Sequence, residues 1–523
     1  MESTFRKSMA WLHTWAGVVI GALLFVVFWM GTLSVFDHEI DRWMMPMTRR
    51  LKAPTPVLLD ATARPAAERL AAGATQWIAL FPTDRASTLR LEWRDASDKE
   101  ITRHLDPATG ADLNVGTHAG TGFIYRFHYQ LNIAFKDIGA WLVGFAAMSM
   151  LVALVSGVII HKRIFIDFFI FRPQKHIRLA ALDLHNLTGV LMLPFCFFIA
   201  LSGLILAFST YFPSGRWAIF ANDKKAFRQD VYGIYARDKA NAPAALSSLD
   251  AMLDEARRLW GDGRPYFLRV THPGDANGYV EVRRFVDDRV ARDSNYLFFD
   301  GASGALISRA GSKPVRKVYR FITNLHMLGF ENWTLRWLFF LAGLAACVMI
   351  ATGFLVWMEA RRAQHAANGL AGVRAVEALA VGAVPGLVIA TLAFFIANRL
   401  LPSGDRFAGI ERAALEMWVF YSVWILGFAH AAWRGRAAWS EQSRALGVMA
   451  LAAVFLNWIT TGDHLFRTLN EGLYGVAGMD AMLLLGAGVA WCSARRLSRR
   501  RAPRAAVSVP LSSGRMEREA EYA

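Results

Sequence analysis

The sequence predicts an integral membrane protein, an all-α bundle of about eight transmembrane helices carrying two small α+β lobes on one side. Three observations predict it. The 523-residue chain is 54% hydrophobic with a mean hydropathy of +0.28, above the soluble range. Eight apolar runs are long enough to cross about 30 Å of hydrocarbon, near 15–36, 139–160, 187–208, 335–357, 376–398, 414–433, 444–461 and 476–493. Two long polar segments, one after the first run and one after the third, alternate apolar and polar residues as half-buried strands do.

Arg6 and Lys7 precede the first run, which is too long for a signal peptide and lacks a small-x-small cleavage site. It reads as an uncleaved signal anchor. That run opens with Leu12-His13-Thr14-Trp15-Ala16-Gly17-Val18, and the third opens with Leu184-His185-Asn186-Leu187-Thr188-Gly189-Val190. Gly31 follows His13, and Gly203 follows His185, at the same spacing. That spacing is five whole helical turns, so each histidine shares a face with its distal glycine, about 27 Å away.

Each polar segment has a helix-like stretch, 60–73 and 247–260, and then strand-like stretches that include 88–93 and 278–282. Leu105-Asp106-Pro107-Ala108-Thr109-Gly110 answers Phe299-Asp300-Gly301-Ala302-Ser303-Gly304. Asp bonds its own backbone in such a turn and Gly supplies positive φ, so the motif reads as structural. The return to the membrane also repeats, with Tyr125-Arg126-Phe127-His128 before one span and Tyr319-Arg320-Phe321 and His326 before the other. Those spans end alike, in Ser156-Gly157 and Thr352-Gly353. An internal duplication over about 1–360 is expected. It divides the chain into a first repeat (1–165), a second repeat (166–365), a four-helix extension (366–495) and a basic, disordered tail (496–523).

The net charge of +16 gathers beside particular spans, at Lys162, Arg163, Arg172, Lys175 and Arg178, at Arg361, Arg362 and Arg374, and at Arg495–Arg501. By the positive-inside rule both termini are cytoplasmic and the lobes periplasmic. The charge reads as topology and contact with anionic lipid rather than nucleic-acid binding. Cys196, Cys347 and Cys492 all fall in apolar runs, so the lobes hold no disulfide.

His13 and His185 thus form one symmetric pair and His128 and His326 another, at opposite faces. A single histidine at a membrane boundary is unremarkable, but two pairs at two depths suit axial ligation of b-type haem. Gly17, Gly31, Gly189 and Gly203 offer flat surface beside a porphyrin, although small residues also serve plain helix packing. Two haems are expected, with His13 and His185 on the cytoplasmic side and His128 and His326 outside. His161 has no twin, because Trp357 stands in its place. It remains an alternative inner ligand, a propionate partner or a helix-end anchor. The other histidines read as interfacial or loop residues. Glycine-rich nucleotide motifs and zinc spacings of the His-Glu-x-x-His kind do not occur in the sequence.

Trp11-Leu12-His13 with Gly17, Ser156-Gly157-Val158-Ile159-Ile160-His161-Lys162-Arg163, Phe168-Phe169-Ile170-Phe171-Arg172-Pro173 leading to Asp183-Leu184-His185-Asn186, and the two Asp turns together resemble the PepSY-associated transmembrane family. That family includes iron-regulated membrane proteins and ferric-siderophore reductases of Gram-negative bacteria. The resemblance covers about 1–360. It departs at Leu193-Pro194-Phe195-Cys196, where relatives often have histidine in place of Cys196. It implies a haem-dependent oxidoreductase of the bacterial inner membrane that reduces a ferric siderophore in the periplasm for iron uptake. A cytoplasmic reductant or membrane quinol would supply electrons. Rival expectations are a haem-free periplasmic inhibitor, chaperone or sensor built on the lobes, and a transporter. The lack of acidic residues inside the first four spans counts against ion-coupled transport.

Overall fold

The computed structural model describes residues 3–499 except 114, 116–118, 162–167, 169, 171, 173–176, 213, 222, 224–225, 228, 231–233, 262, 285–295, 311–313, 330–331, 403 and 405. Lys162, Arg163, Lys175 and the stretch 500–523 lie outside the described residues.

The first half comprises α1 (Ser3–Ser34), α2 (Asp37–Met44), α3 (Ala63–Leu70), β1 (Gln76–Leu80), β2 (Leu89–Arg94), β3 (Glu100–Leu105), α4 (Gly120–Gln130) and α5 (Ile138–Ile160). The second comprises α6 (Ile177–Leu206), α7 (Leu249–Trp260), β4 (Pro265–Thr271), β5 (Tyr279–Arg284), β6 (Tyr296–Asp300), β7 (Leu306–Ala310), α8 (Pro314–Met327) and α9 (Trp333–Ala367). The extension adds α10 (Gly372–Ala383), α11 (Pro385–Leu400), α12 (Arg412–Arg434), α13 (Ala437–Thr461) and α14 (Tyr474–Arg499).

Eight spans among the described residues are long and apolar enough to cross a membrane, as the sequence predicts. The fifth is broken. Pro385 opens α11, and its missing N–H and bulky ring end α10 just before it. The eighth helix runs on to Arg499, so residues 496–499, expected to begin a disordered tail, are helical.

The two lobes are joined more closely than expected. Their strands form one antiparallel sheet of seven, in the order β3-β2-β1-β4-β5-β6-β7. The seam is β1 on β4, with Trp77 opposite Val270 and Ala79 opposite Leu268. Alternation puts Trp77, Ala79, Leu89, Leu91, Leu268, Val270, Val280 and Val282 on one face, buried with residues of α3 and α7 in a single core. The lobes also exchange caps. Asp60 accepts hydrogen bonds from the backbone of Leu249 and Asp250 and from the Ser248 hydroxyl, while Asp250 accepts from the backbone of Leu59 and Asp60. Asp60 so satisfies backbone donors in the first turn of α7, while Asp250 holds the turn that leads into α3.

Both Asp turns are structural. Asp106 Oδ1 accepts from the N–H groups of Ala108 and Thr109, and Asp300 Oδ1 from those of Ala302 and Ser303. Gly110 and Gly304 take φ of 71° and 74°, the left-handed region glycine tolerates.

Helices α1, α5, α6 and α9 form the central bundle. Helix α1 packs against α5 and α9, and α6 packs against the same two. Thus α1 and α6 face one another across its middle. Helix α4 returns from the lobes to lie on α1 and α5, and α8 returns to lie on α6.

Candidate functional site

The fold brings the four sequence-predicted histidines together as two pairs. His13 and His185 have ring centroids 6.3 Å apart, and His128 and His326 are separated by the same 6.3 Å. The first pair comes from α1 and α6, the diagonal helices of the bundle, near the face away from the lobes. The second comes from the last turns of α4 and α8, which carry it in from the lobe side. Gly31, in contact with His128, lies five turns along α1 from His13, about 27 Å.

Each ring is held by a common device. His13 Nδ1 lies 2.8 Å from the Ala153 carbonyl, His185 Nδ1 2.8 Å from that of Met349, and His128 Nδ1 2.8 Å from that of Val27. His326 Nδ1 lies 2.8 Å from Ser202 Oγ, which itself donates to the Phe198 carbonyl. In the first three cases the acceptor sits four residues before a glycine, Gly157, Gly353 and Gly31, and in the fourth Ser202 stands directly before Gly203. A helical carbonyl at i−4 already takes the N–H of residue i, and its second lone pair points out past the side chain of i. Glycine at i uncovers that lone pair. A Cβ added at Gly31 would lie 2.7 Å from the His128 ring, and one at Gly203, Gly157 or Gly353 would lie 3.1, 3.2 or 3.3 Å from His326, His13 or His185.

Gly31 and Gly203 thus seat histidine rings, a use the sequence does not disclose. Gly17 has nothing within 4 Å of an added Cβ, and Gly189 meets only Met349 Sδ at 3.6 Å. These two lie one turn beyond His13 and His185 and leave open surface there.

The seats at Gly157 and Gly353 are what sequence reading missed. Their signal was the hydroxyl-glycine pair ending the second and fourth spans. Ser156 Oγ donates to Val152 O and lies 3.4 Å from His13 Nδ1, and Ser202 repeats this beside His326.

The hydrogen bonds decide the tautomer. A carbonyl only accepts, and Ser202 gives its proton to Phe198 O, so Nδ1 carries the proton in each ring and Nε2 of the neutral imidazole keeps its lone pair. A backbone partner on one ring nitrogen is the usual support for a metal-binding imidazole. An imidazole nitrogen reaches a metal at about 2 Å. The ring centre lies about 1 Å behind it, so two imidazoles on opposite sides of one metal have centres roughly 6 Å apart. Both pairs match that spacing. Among the described residues, no group of three or more His, Cys, Asp and Glu side chains forms a cage. Two imidazoles are too few for a protein-only zinc centre. They are the full axial set for iron already held in a porphyrin plane.

His161 ends α5 with Nδ1 buried and unpartnered, and it is not paired with another imidazole among the described residues. Other histidines have local partners. His104 bonds Thr88, His430 faces Glu441, and His464 caps the turn at Arg467. Of the mid-membrane aromatics, Phe25 is buried in the bundle, whereas Phe197 faces outward.

Residues 10–360 match the PepSY-associated TM region, which is most of the chain and includes all four histidines and their glycine seats. The chain belongs to this family. An uncharacterized protein of Pseudomonas aeruginosa is 28% identical over 400 residues, covering 71% of this chain and 94% of its own length. The family match ends inside α9, so α10–α14 lie beyond it.

Proposed function

We propose that the protein binds two b-type haems, one between His13 and His185 and one between His128 and His326, and conducts electrons across the inner membrane to a ferric siderophore in the periplasm. The observation that carries this reading is the doubled pair: equal ring spacing, and Nδ1 held by a backbone carbonyl in three rings and by Ser202 Oγ in the fourth, which leaves Nε2 for a ligand. Bound there, an iron porphyrin with two imidazole ligands changes charge by one electron without changing ligands.

The chain's own residues do the positioning. The carbonyls of Ala153, Met349 and Val27 and the hydroxyl of Ser202 fix each ring's tautomer and angle, and the glycines let the rings approach. The apolar helices exclude water from both sites. The basic residues of the loops away from the lobes support a periplasmic position for the lobes by the positive-inside rule. On the lobe side, Tyr125, Arg126 and Tyr129 flank His128 on α4 and are exposed. They offer aromatic and cationic surface to a flat, anionic chelate at the exit. Siderophore oxygens hold ferric iron far more tightly than ferrous iron, so one electron loosens the complex. The lobe-linked haem would be the donor to it.

Absorption of the purified protein tests the reading. A reduced α-band and haem content near two per chain are expected, falling to one in each single His→Ala variant of the four. A colourless protein from haem-replete cells would leave the lobes as the functional part, as an inhibitor or sensor requires.

A further inference from the structure

The inner histidine pair has a second symmetric companion. Arg6 stands seven residues before His13 on α1, and Arg178 stands seven residues before His185 on α6. Seven residues are almost two whole turns, so each arginine shares its histidine's face and lies about 10 Å further from the lobes. Positive charge at this end of a span follows from topology alone. Topology does not require that two cations fall on the two faces that carry the histidines. Lys7, about 100° round α1 from Arg6, is exposed and off that face.

Neither guanidinium is neutralised. Among the described residues Arg6 and Arg178 make no ion pair. The acids at this end of the central bundle are already taken, Asp183 by Arg172 at 2.7 Å and Glu359 by Arg362 at 3.2 Å. The site is also polarised along the helix axes. One turn to the lobe side of the histidines come Gly17, with nothing within 4 Å of an added Cβ, and Gly189, which meets only Met349 Sδ. Bare surface therefore flanks the pair on one side, and two unpaired cations flank it on the other.

We infer that Arg6 and Arg178 bind the two propionate carboxylates of the haem held by His13 and His185, one each, and so fix that haem with its carboxylate edge away from the lobes. The inference rests on the haem reading above. Both propionates leave the same edge of the macrocycle, side by side, which is where a matched pair of cations off one end of the ligands would meet them. Arginine suits the task because its planar fork donates two parallel N–H bonds to a carboxylate. The opposite orientation would carry two carboxylates into the apolar middle of the bundle, where an unpaired charge is costly. The carboxylate-free edge instead lies along Gly17 and Gly189, on the side of the His128 and His326 pair.

The experiment uses the full chain in lipid nanodiscs, loaded with b-type haem or with its dimethyl ester, in which both carboxylates are blocked. His128→Ala, which isolates the inner site, is the host, and loss of either porphyrin is followed by transfer to apomyoglobin. The host should hold haem at least about tenfold longer than the ester, the worth of a charge-assisted hydrogen bond. Arg6→Gln and Arg178→Gln should each speed haem loss about tenfold and leave the ester rate unchanged. Arg6→Lys and Arg178→Lys should keep most of the preference, and Lys7→Gln all of it. In the otherwise native chain both Gln variants should lower the inner midpoint potential and make it pH dependent, because an unpaired propionate takes up a proton as the iron is reduced. The lobe-side potential should not move, which also shows that the variants are folded. Equal retention of haem and ester overturns the inference and leaves the haem reading intact. A Lys7→Gln effect as large as those of the arginines overturns it as well. So do arginine effects that vanish in nanodiscs of phosphatidylcholine alone, which would assign the guanidinium groups to anionic lipid. A wild-type chain that takes up neither porphyrin sinks the haem reading, and this inference with it.

Discussion

The two histidine pairs use one seating device on different supports. His13 and His185 stand on long spanning helices and rest against other spanning helices, so the membrane bundle alone aligns them. His128 and His326 stand at the ends of short helices that descend from the lobes, and only their seats, Gly31 and Gly203, belong to the bundle. The inner pair should therefore depend on helix packing alone, and the lobe-side pair on the lobes being folded and joined as well.

Removing a ring tests this most severely. His128→Ala or His326→Ala should lose the whole lobe-side haem and at least 90% of siderophore reduction in vesicles, with the inner haem still reducible from inside. His13→Ala and His185→Ala should do the converse. Redox titration with haem counting checks it, and loss of both haems from one outer substitution would show that the sites are not separately supported.

The glycine seats come next. Gly31→Ala puts a methyl group 2.7 Å from the His128 ring, whereas Gly157→Ala leaves 3.2 Å to His13. The former should lose most lobe-side haem. The latter should keep the inner haem with a shifted potential. Equal behaviour of the two would mean the rings are free to move and the seat is not what aligns them.

A smaller effect is expected at the crossed lobe caps. Asp60→Ala and Asp250→Ala each remove acceptors of backbone N–H groups, costing about 1 kcal/mol apiece. Hydrogen exchange should rise in β1 and β4, and the lobe-side haem should dissociate faster while the inner one is unaffected.

The mildest test is pH. Hydrogen bonds from Ser303 and the Arg237 guanidinium outweigh desolvation and hold the Asp300 carboxyl down to about 2. A depressed folded pKa stabilises above the unfolded value and is lost as pH falls through the folded one. The second lobe's turn should therefore loosen between about pH 4 and pH 2, and Asp300→Asn should remove that dependence. Lobe fluorescence follows it, and an unchanged acid transition in the variant would assign it to other carboxylates.

The extension shows where sequence legibility ends. Its spans are plain from hydropathy, but its purpose in the fold is not. Arg49, fully buried, donates to Asp463, Asn457 and Thr461, and Trp43 donates to Asp480 at 2.8 Å. This network bolts α13 and α14 to the segment after α1, across some 400 positions. Each polar residue taken alone in the sequence looks like an ordinary interfacial one, because its partner is so distant.

By itself the sequence determined the eight spans, the lobe helices, the strands β2 and β5, both Asp turns and which four histidines are matched. These follow from local periodicity and from spacing along a helix, which 3.6 residues per turn makes predictable. The tertiary structure alone decided that the lobes share a sheet through β1 and β4, that Asp60 and Asp250 exchange caps, and that Gly157 and Gly353 seat the inner rings. It also decided that Gly31 and Gly203 hold histidines. Each of these depends on which helix or strand lies alongside another, and a carbonyl uncovered by a missing side chain has no meaning until a neighbouring ring arrives to use it.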